Sequence, residues 1–283
     1  MTWYVTDSVE DFLTEAGDFL RSFPAPNTIL LSTVDTIRAQ GPAAFGDADA
    51  LFGCWRTAED GVTAAFQHTP PFPLVLTGTS HRAARSLAGK LAEDGRHLPG
   101  VNAVETSAEV FAGEWQHRTG AAGHLKRRTR LYRLGQLAEP RPAVPGNARV
   151  AREVDADLVF GWHEELIREL DESVPKLATQ IEHRMSYGGQ LLWEVAGTPV
   201  SMAAFSRPIA GMARVLSVYT PRDRRRQGYG SAVTAAVTRE LLDRDVPEVV
   251  LFTDLANPTS NAIYQRLGYE PVEDRAVLSF GAG

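Results

Sequence analysis

The stretch Val218-Tyr-Thr-Pro-Arg-Asp-Arg-Arg-Arg-Gln-Gly-Tyr-Gly-Ser231 packs four arginines and two glycines into fourteen residues. An apolar run precedes it and an Ala- and Leu-rich segment follows, so a strand leads through a turn into a helix. The first N–H groups of a helix have no partner within it and carry a partial positive charge. They form an anion site, and Gly228 and Gly230 would let a phosphate come close to the backbone. The arginines add charge and donors for the same anion, which points to a pyrophosphate. Residues 225–230 fit the pattern [Arg/Gln]-x-x-Gly-x-[Gly/Ala]. Two plainer readings stand beside this one: a solvated arginine-rich turn, and a contact to a nucleic-acid backbone. A Walker loop is excluded, because no Gly-Lys-[Ser/Thr] closes the turn, and the dinucleotide fingerprint lacks its third glycine.

A second segment, Leu251-Phe-Thr-Asp-Leu-Ala-Asn-Pro-Thr-Ser-Asn-Ala-Ile-Tyr-Gln-Arg-Leu-Gly-Tyr269, reads as strand, polar loop and short helix, with Gly268 ending the helix. Asn257 and Ser260 offer polar groups at the helix start, where capping alone would also explain them. Tyr264 lies on the first turns. Buried against a bound ligand, a tyrosine can give a proton to a leaving group; as a core residue it would do nothing chemical.

The elements that must position these residues can be read outward from them. A strand begins at Arg149-Val150, and Asp155 can cap a helix carrying Leu158, Val159, Trp162, Leu166 and Leu170. A second helix covers Pro175 to Arg184. Three strands follow, Gln190–Val195, Pro199–Ser206 and Ala213–Thr220, joined by tight turns as an antiparallel meander. Then come a helix from Tyr229 to Arg244, a strand Val249–Thr253, a helix Ser260–Leu267 and a strand Ala276–Phe280. The order β-α-α-β-β-β-α-β-α-β is α+β, not doubly wound.

Together the two motifs, their order and their spacing resemble the GCN5-related N-acetyltransferase superfamily over residues 149–283. The resemblance implies the acyl-CoA N-acyltransferase fold, a mixed and mostly antiparallel sheet flanked by helices. It implies acetyl-CoA as co-substrate, with no metal. The backbone of Val218, Tyr219 and Thr220 would pair with the pantetheine arm. The backbone amides of Arg226, Gln227, Gly228, Tyr229, Gly230 and Ser231, with the Arg225 side chain, would hold the pyrophosphate. Asn257 and Ser260 would touch the cofactor; Ser260 departs from the alanine often found there. Tyr264 matches the general acid that protonates the departing thiolate. A substrate amine would attack the thioester directly. Such an amine must lose a proton, and Glu194, Ser217 and Asp254 are the acceptor candidates, each with a structural alternative. His163, Glu164 and Glu165 are expected on the solvent face of their helix.

Three prolines and two glycines within residues 135–148 mark a linker, so the reading divides the chain into 1–135, a linker at 136–148, and a catalytic domain at 149–283. The first half is less explicit. A helix is expected over Val9–Phe19, a short apolar segment at Thr28–Leu31, a strand pair at Ala50–Trp55 and Val62–Phe66, a strand at Phe72–Thr77, a helix at Ser80–Glu93 and a closing strand at His124–Leu134. This is compatible with a degenerate copy of the same unit, a tandem. Its strand-to-helix junction, Val75-Leu-Thr-Gly-Thr-Ser-His-Arg82, has one glycine and no arginine cluster. His68-Thr-Pro-Pro-Phe-Pro73 reads as a turn that could wall an acceptor site, and Trp3, Trp55 and Trp115 read as core.

The 283 residues carry a net charge of −6, which argues against a general nucleic-acid binder. No secretory signal and no run of about 18 apolar residues is seen, so the expectation is a cytoplasmic protein without a membrane partner. The single cysteine, Cys54, excludes a disulfide framework and a cysteine-built zinc site. The partner expected is a small-molecule or peptide amine, and a monomer or a homodimer would serve. A non-catalytic acyl-CoA-binding or regulatory protein is the alternative.

Overall fold

The computed structural model describes residues 2–281 and contains two compact units. Unit 1 comprises residues up to 131, with 254–256 and the chain from 272 onward; unit 2 comprises 132–253 and 257–271. The units therefore do not follow a simple cut at the linker: the chain's last strand is part of unit 1.

Unit 1 runs β1 (Thr2–Thr6), α1 (Val9–Ser22), α2 (Thr28–Gln40), β2 (Leu51–Thr57), β3 (Gly61–His68), β4 (Leu74–Leu76), α3 (His81–Glu93), β5 (Gly100–Val104), α4 (Glu105–Thr119) and β6 (Ala122–Leu134). Strands β1 to β4 pair antiparallel in sequence order, β4 pairs parallel with β5, and β5 pairs antiparallel with the chain's last strand, Arg275 opposite Val104. Ser8 caps α1 by accepting from the Asp11 N–H at 3.1 Å. Phe12, Ala16 and Leu20, four apart, form the buried stripe of α1. Trp3, Trp55 and Trp115 are buried in the unit's core with Phe66 and Phe111. Cys54 is buried in β2, and burial pushes its thiol up to about 11, so it behaves as a small apolar residue.

Three readings of this half change. Thr28–Leu31 is the first turn of a thirteen-residue helix; its buried face carries Thr28, Ser32 and Thr33, which hide the apolar period. Residues 2–6 form an edge strand. The sequence pattern leaves 94–121 without elements, yet β5 and α4 lie there; small residues, Ser107, Ala108 and Ala112, dilute the helical stripe of Phe111 and Trp115.

The rest of the chain repeats the element order: β7 (Asn147–Val150), α5 (Ala156–Glu169), α6 (Leu177–Ser186), β8 (Gln190–Val195), β9 (Thr198–Phe205), β10 (Met212–Tyr219), α7 (Tyr229–Asp243), β11 (Glu248–Asp254) and α8 (Pro258–Arg266), essentially all in unit 2, and β12 (Tyr269–Gly281), which belongs to unit 1 from residue 272 on. The boundaries lie within a few residues of those read from the sequence, except that β12 begins seven residues earlier. Strands β7 to β10 are an antiparallel meander and β10 pairs parallel with β11. The core of unit 2 has two layers. Ala213, Val215 and Leu191 pack with Val233, Val237 and Leu241 of α7 on one face of the sheet. Leu192, Met202 and Tyr219 pack with Val159 and Trp162 of α5 and Ile181 of α6 on the other. Asp155 precedes α5 but does not cap it through its side chain; its carboxylate takes two bonds from Arg149, at 2.6 and 2.8 Å, and one from the Arg152 N–H. These bonds hold Asp155 at about 2, burial opposing them. The linker is part of unit 2. Its backbone bonds to Gly268 and Leu267, Glu139 pairs with Arg239, and the Trp193 indole donates to the Pro145 carbonyl at 2.9 Å.

Candidate active site

The site begins as a fork. The parallel ladder between β10 and β11 runs from Met212 opposite Glu248 to Val215 opposite Leu251 and stops there, although both strands continue. On its other side β10 carries a bulge. Leu216 pairs with Ala204 and Tyr219 with Met202, so three steps on β10 match two on β9. Ser217 absorbs the difference with φ +49, a left-handed conformation costly for any residue but glycine. The ladder register therefore skips Ser217 and Val218 on both sides. Ser201 secures the strand end beyond the bulge. Its hydroxyl donates to the Tyr219 carbonyl at 2.8 Å and lies 2.9 Å from the Thr220 hydroxyl.

After the fork the chain makes a short helical turn at Arg222–Arg224 and enters α7. Arg226 at φ +64 and Gly228 at φ +85 are both left-handed, which curls successive N–H groups into a concave nest. No side chain caps α7, and the first helical bond is from Ala232 N to Gly228 O. The N–H groups of Tyr229, Gly230 and Ser231 precede it. Gly230 needs no glycine on the protein's account: its φ is ordinary, and a Cβ would meet only Thr220 Oγ1, at 3.6 Å. The missing side chain leaves space over the bare helix start, as a phosphate group would require. Gly228 is different. Its φ, and Val144 of the linker 2.8 Å from where a Cβ would stand, both demand glycine.

The arginines divide their roles. Arg225 donates from Nε to the Thr220 carbonyl at 2.9 Å and from Nη2 to Glu169 at 2.7 and 2.9 Å; Arg222 reaches the same carboxylate at 2.8 Å. Burial raises the Glu169 carboxyl but the two guanidinium groups outweigh it, leaving it below the usual range. One helical turn earlier, Glu165 accepts from the Tyr219 hydroxyl at 2.6 Å. Burial, then this bond, pushes that phenol up to about 12. Sequence reading left Glu165 on the solvent face without a partner role and did not single out Glu169; their i,i+4 spacing on an amphipathic helix was the available signal. The Arg225 side chain, expected on the pyrophosphate, thus ties the turn to α5, while Arg226 makes no ion pair among the described residues.

Asn257 caps α8, its Oδ1 accepting from the Ser260 N–H at 3.0 Å, and Pro258 follows at the first helical position. Tyr264 is buried on α8, edge-on to Tyr269 with centroids 6.2 Å apart. The Tyr269 hydroxyl lies 2.7 Å from Thr238 Oγ1 of α7, while the Tyr264 hydroxyl has no hydrogen-bond partner among the described residues. Burial pushes Tyr264 up to about 12, so its phenol stays protonated at neutral pH.

The proton-acceptor candidates are scattered. Ser217 is the bulge residue itself. Glu194, near the far end of β8, accepts from Arg149 Nε at 2.6 Å. Asp254 Oδ1 accepts from the Ala256 N–H at 2.7 Å, and contacts assign it to unit 1. His163 was expected on a solvent face and is instead 2% exposed, its Nε2 3.2 Å from Gln190 Oε1. Among the described residues no group of three or more His, Cys, Asp or Glu could hold a metal ion.

This architecture is that of the acyl-CoA N-acyltransferases. A Drosophila protein shares it over 99% of this chain and 98% of its own, with a TM-score of 0.70 at 14% identity. A GCN5-related N-acetyltransferase from Sphaerobacter thermophilus does so over 98% and 94%, at 0.63 and 15%. A tandem GNAT protein from the clavulanic acid biosynthesis pathway does so over 99% of both chains, at 0.57 and 15%. No curated protein matches the chain. Residues 150–269 match the Acetyltransferase (GNAT) family.

Proposed function

We propose that the protein is an acetyl-CoA-dependent N-acetyltransferase whose active site lies in unit 2. The observation that carries this reading is the fork of β10 and β11 opening beside the uncapped, glycine-cleared start of α7. When bound, acetyl-CoA supplies an acetyl group activated as a thioester. The unpaired backbone at Ser217–Val218 can bond the amides of its pantetheine arm, and the nest from Arg226 to Ser231 can hold its pyrophosphate. Holding the thioester at one end fixes the path of the incoming amine. As the amine nitrogen bonds to the acetyl carbon and the carbon–sulfur bond breaks, Tyr264 can give its phenolic proton to the sulfur, and solvent restores it. The nitrogen sheds its proton to water; Ser217 at the bulge can orient that water, whereas Glu194 is engaged by Arg149.

The test is thiol release from acetyl-CoA against a panel of amines, with Tyr264→Phe beside the unaltered enzyme. The expected result is turnover of at least one amine, with kcat reduced about 100-fold or more in Tyr264→Phe and the acetyl-CoA Kd unchanged. Binding of acetyl-CoA with no turnover of any amine would make the protein an acyl-CoA-binding module instead.

A further inference from the structure

Unit 1 carries a groove that the chemistry above does not use. It lies between α3 and α4 and has a volume of about 650 Å³, within the range of small-molecule sites. The two helices run parallel. At their starts the Ser107 hydroxyl of α4 donates to the Thr79 carbonyl just ahead of α3; at their far ends Arg118 donates to Glu93 at 3.1 Å. Arg82, Arg85, Ser86 and Gly89 line the groove from α3, at the spacing of one helix face. From Arg82 to Glu93 it runs about 16 Å along the helix axis.

The two ends differ in charge. At the far end both lining carboxylates, Glu93 and Glu114, share the single guanidinium of Arg118, at 3.1 and 2.7 Å. Lys90 pairs with Asp94 at 3.0 Å. At the near end Arg82 and Arg85 make no hydrogen bond or ion pair among the described residues. They lie in the first two turns of α3, and its first turn has no acidic residue. Cations there oppose the positive end of the helix dipole, an arrangement that a bound anion would reverse. Ser80 already accepts from the Ala83 N–H, so side chains rather than bare backbone would hold the anion. Gly89 is a separate sign. It lies in the helix interior, where glycine is less stable than alanine. Packing does not require it: its φ is ordinary, and a Cβ would stand 3.7 Å from Arg118 Nη2 and Glu114 Oε1, a normal contact. The absent methyl keeps the groove open between its basic and acidic ends.

We propose that this groove binds a phosphorylated, hydroxyl-bearing small molecule, with its phosphate on Arg82 and Arg85 and its hydroxyl groups toward Glu93 and Glu114. Two guanidinium forks suit a dianion with three free oxygens, and the Ser86 hydroxyl on the same face can add a donor. An ionised carboxylate has about four acceptor positions, so Glu93 and Glu114 can accept from hydroxyl groups while keeping Arg118. The acidic far end would repel a continuous polyanion such as a nucleic acid, so the ligand carries its negative charge at one end. The lining residues all belong to unit 1, and the proposal stands apart from the acetyltransferase reading.

Calorimetry on the full chain at physiological salt tests it. The probes are glucose 6-phosphate, ribose 5-phosphate and AMP, with glucose and inorganic phosphate as controls. The proteins are the unaltered chain, the double variant Arg82→Gln with Arg85→Gln, and Gly89→Ala. At least one phosphate ester is expected to bind with a Kd of about 1 mM or tighter, and about 10-fold tighter than inorganic phosphate. Glucose should give no heat. The double variant should weaken that binding about 10-fold or more, with Tm and the acetyl-CoA Kd unchanged. Gly89→Ala should raise Tm and still weaken binding. Binding that survives the double variant lies elsewhere, for example at α7, and overturns the proposal. Equal affinity for inorganic phosphate overturns it too, leaving a patch that attracts any anion. So does Gly89→Ala without loss of affinity, or failure of all three esters to bind.

Discussion

Gly228 and Tyr264 show how one residue type can be required for reasons that sequence cannot separate. Gly228 must be glycine for the protein's own geometry, since φ is +85 and Val144 lies against it. Gly228→Ala is expected to lower stability by about 1–2 kcal/mol and, by disturbing the nest, to weaken acetyl-CoA binding; denaturation and calorimetry measure the two separately. Gly230→Ala, with room for its methyl on the protein side, should leave stability nearly unchanged while still weakening acetyl-CoA binding. Loss of stability without loss of affinity at Gly230 would place the phosphate elsewhere. At Tyr264 the fact that matters is protonation. Burial keeps the phenol intact across the working range, so the kcat profile should show no tyrosine ionisation below about pH 10. A basic limb near neutrality that vanishes in Tyr264→Phe would contradict that.

At the scale of elements, α5 governs the turn between β10 and α7. Glu169 neutralises Arg222 and Arg225, and Glu165 fixes Tyr219 at the strand end. The Arg222 side chain is 80% exposed, so the pair contributes little to stability. Its consequence is charge. Glu169→Gln would leave both arginines uncompensated beside the proposed pyrophosphate site, and acetyl-CoA should bind several-fold more tightly at low salt, the gain fading toward 1 M salt as screening shortens the range. Titrating acetyl-CoA into both proteins at two ionic strengths checks this; unchanged or weaker affinity at low salt would show that Glu169 serves to hold the turn in shape. The corresponding places in unit 1 are built differently. Ser80 caps α3, accepting from the Ala83 N–H. Where β4 and β5 stop pairing, the buried Arg275 guanidinium donates to the Leu76 carbonyl at 2.8 Å and to the Asn102 carbonyl and Oδ1 at 3.0 Å.

For the whole molecule these differences predict stoichiometry and pH response. In unit 1 the gap between the parallel strands is filled by Arg275 and the following helix start by Ser80, so the chain should bind one acetyl-CoA; two by calorimetry would show that Arg275 yields. Each unit also buries a neutral histidine, His68 in unit 1 and His163 in unit 2. Burial is the main cause of depression to about 4 for both, with Arg96 and His97 adding to it at His68 and Arg184 at His163. Both are protonated near 6.5 in the unfolded chain. Between pH 6.5 and 4 the unfolded state therefore binds more protons, and stability falls as pH falls. The loss is up to about 3 kcal/mol for each histidine. Tm measured from pH 7 to 4 should drop accordingly, and His163→Gln should flatten the curve; an unchanged slope would mean that His163 is solvated.

Much of unit 2 was legible because its motifs are local. A strand, a glycine turn and a helix start lie within fourteen consecutive residues, and the apolar periods around them are strong. Short-range spacing was sufficient for the element order, the glycine turn before α7 and the capping role of Asn257. Unit 1 was harder because Thr28, Ser32 and Thr33 face inward on α2 and small residues blur α4. What sequence could not supply were relations between residues far apart in the chain. Arg275 fills a gap bounded by Leu76 and Asn102, Glu169 meets Arg222 and Arg225, and His163 meets Gln190. The chain's last strand lies in the unit built mostly from its beginning. Periodicity reports which face of an element is apolar, but only packing decides which charges share that face, and the free energy of a buried charge depends on its neighbours.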